Sequence, residues 1–295
     1  MAGGMGSRYG GLKQVDSFGP NNESILDYSI YDAIGAGFSK IVILSSPKLE
    51  KYFKEKYIDL FDSIYNCDLN IVVQDPHYGL GEHDIPIERE KPWGTGHAVL
   101  CCEQVIDNSF SIINADDFYG SDALKKILKS LKFIENNNIQ ASIISYLIEN
   151  TLSDFGGVSR GVCKSENSLL KSIEETHEMI KLGDMVIGKY NGDVKKYPYG
   201  TEVAMNLIGF QKSIFKKLNN DFSTFLSENL NDPKKEFLIP DVVNDLIDQK
   251  VYINKTNEEW FGVTYPEDKK FVKNKIKKLI ESGKYSTPIW NQLNG

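Results

Sequence analysis

ILDYSIYDAIGAGF (residues 25–38), followed at once by IVILSS (41–46), decides the architecture. The first segment repeats its apolar side chains with a helical period, and Gly35 and Gly37 mark its end. The second is a short β-branched run of the kind shown by a parallel strand covered on both faces. Residues 48–60 then look helical, and NIVVQD (70–75) is the next strand. Residues 75–93 are rich in Pro, Gly and charge and predict a long loop before a helix at about 96–106. SFSIINADD (109–117) is a strand ending in acids, 121–135 an amphipathic helix, and ASIISYLI (141–148) a strand again. This alternation predicts an α/β fold with a doubly wound, mostly parallel sheet, whose ligands sit at the carboxyl ends of the strands. The second half is less regular. LIGF (207–210) continues a strand begun near Val203, the segment after Pro240 reads as helix, and Lys269 to Ser282 is a basic amphipathic C-terminal helix with a solvated face.

With 41% hydrophobic and 25% charged residues, the 295-residue chain has a globular composition and the length to bury a large core. Its formal charge, 34 − 41 = −7, is spread along the chain, which argues against a nucleic-acid or anionic-membrane surface. No run approaches the ~20 apolar residues of a membrane span, and no secretory signal is visible at the start. Four cysteines (Cys67, Cys101, Cys102, Cys163) show no paired framework or CxxC spacing and read as reduced thiols of a cytoplasmic protein.

AGGMGSRYGGLKQ (2–14) carries the chemistry. Gly3, Gly4 and Gly6 permit positive φ and remove Cβ atoms, so backbone N–H groups around them and Ser7 can approach a triphosphate. Arg8 and Lys13 add cations suited to an α-phosphate under attack. GK[ST] is absent and the spacing does not give GxGxxG, so the loop is neither a Walker loop nor a dinucleotide fingerprint. An ordinary tight turn is the competing reading. Such a turn should follow a hydrophobic strand, yet only Met1 and Ala2 precede it. A first, central strand is therefore expected to be missing from this chain, and an added apolar segment should raise its melting temperature.

Further on, NADDFYG (114–120) places two carboxylates at a strand end, where Mg²⁺ would offset their repulsion. Helix capping by Asp116 or Asp117 is the alternative. KPWGTGHAV (91–99) contains two glycines that permit close backbone approach, with Thr95 as a competing N-cap.

Gly3-Gly4-Met5-Gly6-Ser7-Arg8 matches the GGxGxR signature of the sugar-phosphate nucleotidyltransferases, and the chain resembles that family loosely from residue 2 to about 268. The resemblance implies a Rossmann-like, GT-A-like fold and transfer of a nucleotidyl group from an NTP to a phosphorylated acceptor, with Mg²⁺ as cofactor and pyrophosphate released. It implies Arg8 and Lys13 as catalytic cations and Asp116 as metal ligand. Gly94 and Thr95, in a segment resembling GTAxA, would meet the base, with Trp93 covering it and Gln74 adding a contact. FGGV (155–158), IEE (173–175) and VAMNLIGF (203–210) resemble the acceptor motifs and imply Gly157, Glu175 and Asn206 as acceptor contacts.

Two positions depart from the pattern. Thr176 stands where a lysine is expected, leaving Arg160 or Lys171 to hold the acceptor phosphate. Gly262, in WFGVTYPED (260–268), stands where a second metal aspartate is expected, so that either Asp117 or Asp268 completes the site or Asp116 and the phosphates hold the metal. The resemblance divides the chain into a nucleotidyltransferase domain (1–268, with an NTP-binding half at 1–120 and an acceptor half at 121–268) and a helical tail at 269–295. Association into a homo-oligomer is compatible with it. A glycosyltransferase of similar fold, or a catalytically silent nucleotide-sugar sensor, are the rival readings.

Overall fold

The structure is a computed structural model, and the described residues are 1–3, 15–64, 67–263 and 267–292. Helix α1 (Ile25–Ala36) begins where the Ser24 backbone N–H donates to the Asp27 carboxylate at 2.6 Å, and it ends on Gly37 at φ 104°. An acid reaching back to the N-cap and a left-handed glycine after the last turn satisfy orphan groups at the two ends. Strand β1 (Lys40–Ser45) follows, then α2 (Glu50–Asp62) and β2 (Asp68–Val73), which lies parallel to β1 with Lys40 opposite Asp68. Tyr57 Oη at 2.9 Å and Lys56 Nζ at 2.5 Å both donate to the buried Asp27, so one carboxylate ties α2 to α1.

Residues 1–3 run along the other side of β1. Ala2 N donates to Leu44 O at 2.6 Å, and Ala2 forms a parallel bridge with Ser45. The Met1 ammonium donates to Ile113 O at 2.6 Å, and Ala115 N donates to Met1 O at 3.0 Å. These two residues thus join β1 to the extended segment after β3 (Phe110–Ile112), which follows α3 (Thr95–Leu100).

The remainder corrects the expectation of a doubly wound, mostly parallel sheet: the fold is a mixed one in which antiparallel pairing dominates. After β4 (Asp117–Phe118), α4 (Ser121–Asn136) and β5 (Ala141–Leu147) come four consecutive strands: β6 (Val158–Glu166), β7 (Leu169–Leu182), β8 (Met185–Tyr190) and β9 (Asp193–Pro198). Strand β10 (Glu202–Phe210), α5 (Ile214–Asn229), α6 (Ile239–Leu246), β11 (Val251–Lys255), β12 (Phe261–Gly262) and α7 (Asp268–Glu281) complete the chain. The large sheet runs β11-β5-β10-β6-β7-β8-β9, with β3 on β10 and β7 also touching β11. Among the described residues only β11 and β5 pair parallel in it.

The physical reason lies in the turns. Asn167-Ser168 (φ 51° and 60°) and Asn191-Gly192 (φ 51° and 86°) are left-handed pairs between adjacent strands, as two-residue hairpins require. A parallel connection needs a crossover of a dozen or more residues, and none is present between β6 and β9. Helix α4 covers the large sheet with Ala123, Leu124, Ile127, Leu131 and Ile134, all buried at three- and four-residue spacing.

One buried acid in this frame costs stability at neutral pH. Asp32 of α1 is 5% exposed and accepts a hydrogen bond from Tyr285 Oη at 2.8 Å. Burial raises its pKa from 3.8 to about 6, despite the opposing hydrogen bond. The native state therefore keeps a proton that the unfolded chain releases, and stability falls as pH rises from about 4 to about 6. Asp32→Asn keeps the acceptor without the charge. It is expected to add roughly 2 kcal/mol at pH 7 and almost nothing at pH 4, by melts at both pH values.

Candidate active site

Three neighbouring chain segments end on one edge. Ser45 closes β1, Gln74 follows β2 with its N–H donating to Ser45 O at 3.0 Å, and Asp116 follows the segment bonded to Met1. Gly3 leaves the same edge. A Cβ there would sit 3.6 Å from the Ser45 carbonyl carbon and the Ser46 nitrogen, an ordinary contact, so sterics at this position tolerate a side chain. Gly4, Gly6, Ser7, Arg8 and Lys13 lie outside the described residues. Gly3, directly before them in sequence, follows the Ala2 bridge to β1, and the Ala115–Met1 bond brings the segment leading to Asp116 alongside residues 1–2.

Asp117 is held from several directions. Asn114 Nδ2 donates to its Oδ2 at 2.9 Å, and the Tyr119 hydroxyl lies 3.4 Å from the same oxygen. Burial, with Asp117 next in order, keeps Tyr119 protonated far above the usual range for a phenol. Across the β4–β12 ladder Asp117 pairs with Gly262, and a Cβ on Gly262 would run into Asp117 Oδ1. The missing aspartate at 262 is thus matched by a carboxylate from 117 standing in the space a side chain would need. The sequence carried half of this signal in Gly262; the cross-strand pairing was invisible in it. Asp268, the other candidate, is buried as the first residue of α7.

The base-contact candidates are engaged in packing. Gly94 takes φ 107°, and a Cβ there would strike Phe237 O and lie 2.8 Å from Phe237 N. Phe237 N donates to Trp93 O at 2.7 Å, and Gly96 N donates to Phe237 O at 2.8 Å, so both glycines serve a backbone seam. Thr95 Oγ1 accepts from Ile239 N at 3.0 Å rather than capping its own helix, where Gly94 is the N-cap. Trp93 is fully buried, with Nε1 donating to Pro76 O at 2.9 Å and the Arg89 guanidinium 3.7 Å from its ring centroid, so it is not placed to cover a base.

Gln74 Nε2 donates to Gly94 O at 3.2 Å and lies 3.1 Å from His97 Nδ1. His97 Nε2 lies 2.9 Å from Tyr78 O, which assigns the proton to Nε2 and leaves Nδ1 to accept. Burial lowers the His97 pKa, so the ring is neutral at pH 7. This Gln74–His97–Tyr78 relay was absent from the sequence reading, although Gln74 itself was singled out.

In the second half, β10 slips register between Ala204 and Ile208, and Asn206 sits in the slip at φ 60°. On one edge β10 pairs with β6 through Val203–Ala204 and with β3 through Ile208–Phe210, so Asn206 marks where those partners part. Asparagine is among the side chains that adopt this left-handed backbone most readily, and bulges re-aim side chains out of a ladder. Glu175 on β7 reaches over Gly161, with Oε2 at 3.6 Å from where a Cβ would stand. Burial raises its pKa while His177 and Arg160 pull it down. Gly157 abuts Glu178, whose Cα would lie 3.0 Å from an added Cβ, so this glycine is needed for close backbone approach.

Thr176 points inward, fully buried, with Oγ1 3.0 Å from Tyr197 Oη. A lysine has no place there. Its suggested substitutes divide. Lys171 pairs with Glu166 at 3.5 Å on the outside of the β6–β7 hairpin. Arg160 stands directly opposite Thr176, 9% exposed, donating to the carbonyls of Thr151 and Ser159 and lying 4.7 Å over the Trp260 ring. Burial lowers its pKa to about 10, while Asp117 and then Glu175 raise it, so it remains a cation at neutral pH. Among the described residues no group of three or more His, Cys, Asp or Glu converges to hold a metal ion.

A family model described as nucleotidyl transferase matches residues 1–235, and the chain belongs to this family. It is a nucleotidyltransferase. Two solved structures share its fold. One is the inositol-1-phosphate CTP transferase of T. maritima (12% identity, 94% of each chain, TM-score 0.59). The other is a Bacillus anthracis protein assigned as a glucose-1-phosphate thymidylyltransferase, in complex with sucrose (15% identity, 92% of each chain, TM-score 0.60). No curated protein matches the sequence.

Proposed function

We propose that this enzyme transfers the nucleotidyl group of an NTP to a sugar 1-phosphate. An oxygen of the acceptor phosphate attacks the α-phosphorus, the bond from that phosphorus to the bridging oxygen of the β-phosphate breaks, and pyrophosphate leaves with that oxygen. No protein nucleophile is required, since a phosphate dianion is already competent. Positioning and charge neutralisation supply the catalysis.

The observation that carries this reading is the common edge reached by Gly3, Gln74 and the segment leading to Asp116, with Gly4 to Lys13 following Gly3 in sequence. The loop glycines and Ser7 would cradle the phosphates, Arg8 and Lys13 would face the α-phosphate, and Gln74 with the Gly94–Thr95 turn would border the base. The donor set fits Mg²⁺: Asp116 and Asp117 offer hard carboxylate oxygens, and such an ion needs only one or two protein carboxylates when phosphates and water complete its shell. When bound, Mg²⁺ would neutralise triphosphate charge. Gly157, Glu175 and Asn206 would meet the acceptor's hydroxyls, in an acceptor-binding half at 121–268 that would complement an NTP-binding half at 1–120. Four unpaired, buried cysteines fit a reducing cytoplasm, and no described helix is long and apolar enough to cross a membrane.

Four NTPs, each combined with a panel of hexose and aminosugar 1-phosphates and with inositol 1-phosphate, test the reading through pyrophosphate release. One pair should turn over at a rate far above the others. Binding of a nucleotide-sugar with no turnover for any pair would replace transfer by sensing.

A further inference from the structure

Two carbonyls dictate how the side-chain amide of Gln74, at the end of β2, is turned. Its Nε2 donates to Gly94 O at 3.2 Å and lies 3.1 Å from His97 Nδ1. A carbonyl oxygen can only accept, so the end of the amide turned to Gly94 is the nitrogen. His97 settles the other contact in the same way. Its Nε2 lies 2.9 Å from Tyr78 O, again an obligate acceptor, so Nε2 carries the ring proton and Nδ1 takes the second hydrogen of the Gln74 amide. Both Nε2 hydrogens of Gln74 are thereby spent inside the protein. Oε1 is left over: among the described residues no donor meets it, and Gln74 is only half-buried.

This arrangement is held from behind. His97 is fully buried, its ring 4.7 Å from that of Phe222 and each ring nitrogen 3.9 Å from Cys101 Sγ. Tyr78, whose carbonyl orients the ring, is tied down through its hydroxyl, which donates to Glu103 at 3.1 Å; Glu103 also accepts from Asn219 Nδ2 at 3.2 Å. Gly94 O accepts in addition from Ala98 N at 3.0 Å, in the first turn of α3. Turning the Gln74 amide through half a circle would set Oε1 against Gly94 O and His97 Nδ1, acceptors without a proton between them.

On the reading of Gln74 as a border of the base, we propose that His97 is a positioning residue that sets nucleotide choice. By holding the Gln74 amide hydrogens inward it makes Gln74 an acceptor only, and the enzyme then prefers an NTP whose base carries an exocyclic amine to the matching base without one. A free glutamine amide serves either kind, because it can donate to a carbonyl and accept from a neighbouring N–H. With its donors spent, Gln74 accepts from the amine of cytosine, adenine or guanine, whereas the carbonyl that uracil carries in place of cytosine's amine meets it oxygen against oxygen. In a partly desolvated pocket that mismatch leaves both acceptors unpaired. The discrimination comes from a buried histidine that never touches the nucleotide.

Calorimetric affinities of the full chain for CTP, ATP, GTP, UTP, dTTP and ITP, each with Mg²⁺ and without acceptor, test this. The tightest ligand should be CTP, ATP or GTP. Its amine-free counterpart, UTP for CTP and ITP for ATP or GTP, should bind more weakly by at least about tenfold. In His97→Leu the released hydrogen lets the amide turn, and the gap should shrink to about threefold or less. His97→Asn returns an acceptor near the position of Nδ1 and should keep the gap. A merely structural histidine predicts instead that both substitutions weaken every NTP by the same factor. If His97→Leu does not fold, His97→Gln takes its place, keeping a donor for Tyr78 O but not the Nδ1 acceptor. UTP, dTTP or ITP as the tightest ligand, a wild-type gap below about threefold, or an undiminished gap without the Nδ1 acceptor would each overturn the proposal. Binding of no NTP would overturn the NTP reading and this proposal with it, whereas binding without the amine preference overturns the proposal alone.

Discussion

Asp116→Ala is expected to lower pyrophosphate release by about 10³-fold, a loss of roughly 4 kcal/mol of transition-state stabilisation. Asp116 follows Ala115, whose N–H bonds Met1 O two residues before Gly3. In the proposed site a charge there would act on the triphosphate and its accompanying cation, and water in its place would be a weak substitute. The fold should survive, because Asp116 is only partly buried and the neighbouring ladder bonds come from the backbone. Circular dichroism and thermal melts check that half of the prediction. Activity within tenfold of wild type, with Mg²⁺ present, would remove Asp116 from the site.

Trp93→Ala is expected to destabilise the protein by about 3–5 kcal/mol, lowering the melting temperature by roughly 5–15 °C. The indole is fully buried, packs edge-on against Phe222 and Phe225 at 6.0 and 6.4 Å, and lies under the Arg89 guanidinium. Truncation opens a cavity, strands Pro76 O without its donor and leaves Arg89 over empty space. If the ring instead stacked on a base, the NTP affinity of Trp93→Phe would fall with little change in melting temperature. The packed environment predicts the reverse, with stability affected and affinity retained.

The parts of the fold legible in the sequence are those whose apolar pattern is set by burial on one or both sides. IVILSS reads as a covered strand because Ile43 packs with α1 and α2 while Leu44 packs with α3, and SDALKKILKSLKFIEN reads as α4 because only one face of that helix is buried. Strands β6 to β9 escaped because they form a meander with much of its surface in water. Leu182 and Val194 are exposed at 55% and 66%, so neither a continuous apolar run nor a clean alternation marks these strands. The turns did carry a signal. Asn191-Gly192 between two strand-length segments is a strong short-range hairpin cue, and it alone contradicts an all-parallel second half.

The site shows the same division. Asp116 stands out because two adjacent carboxylates repel each other at a strand end unless a cation or donor is near, and the glycine-rich segment because its composition is distinctive, although it lies outside the described residues. The partnership of Asp117 with Gly262 depends on a two-residue ladder between segments more than 140 positions apart, and no local pattern encodes it. Thr176 reads from sequence as a lost lysine, whereas in the fold it is a core hydroxyl under β8, with its Cγ2 only 2.7 Å from where a Cβ on Gly188 would be.

In the proposed reaction Lys13 and Asp116 share one triphosphate with its magnesium ion. Calorimetric NTP affinities for wild type, Lys13→Ala, Asp116→Ala and the double variant, each in Mg²⁺, measure that sharing as a coupling energy. A shared ligand predicts a coupling of at least about 1 kcal/mol that disappears when the metal is chelated. Strictly additive losses in Mg²⁺ would mean that the two side chains do not meet on the same nucleotide.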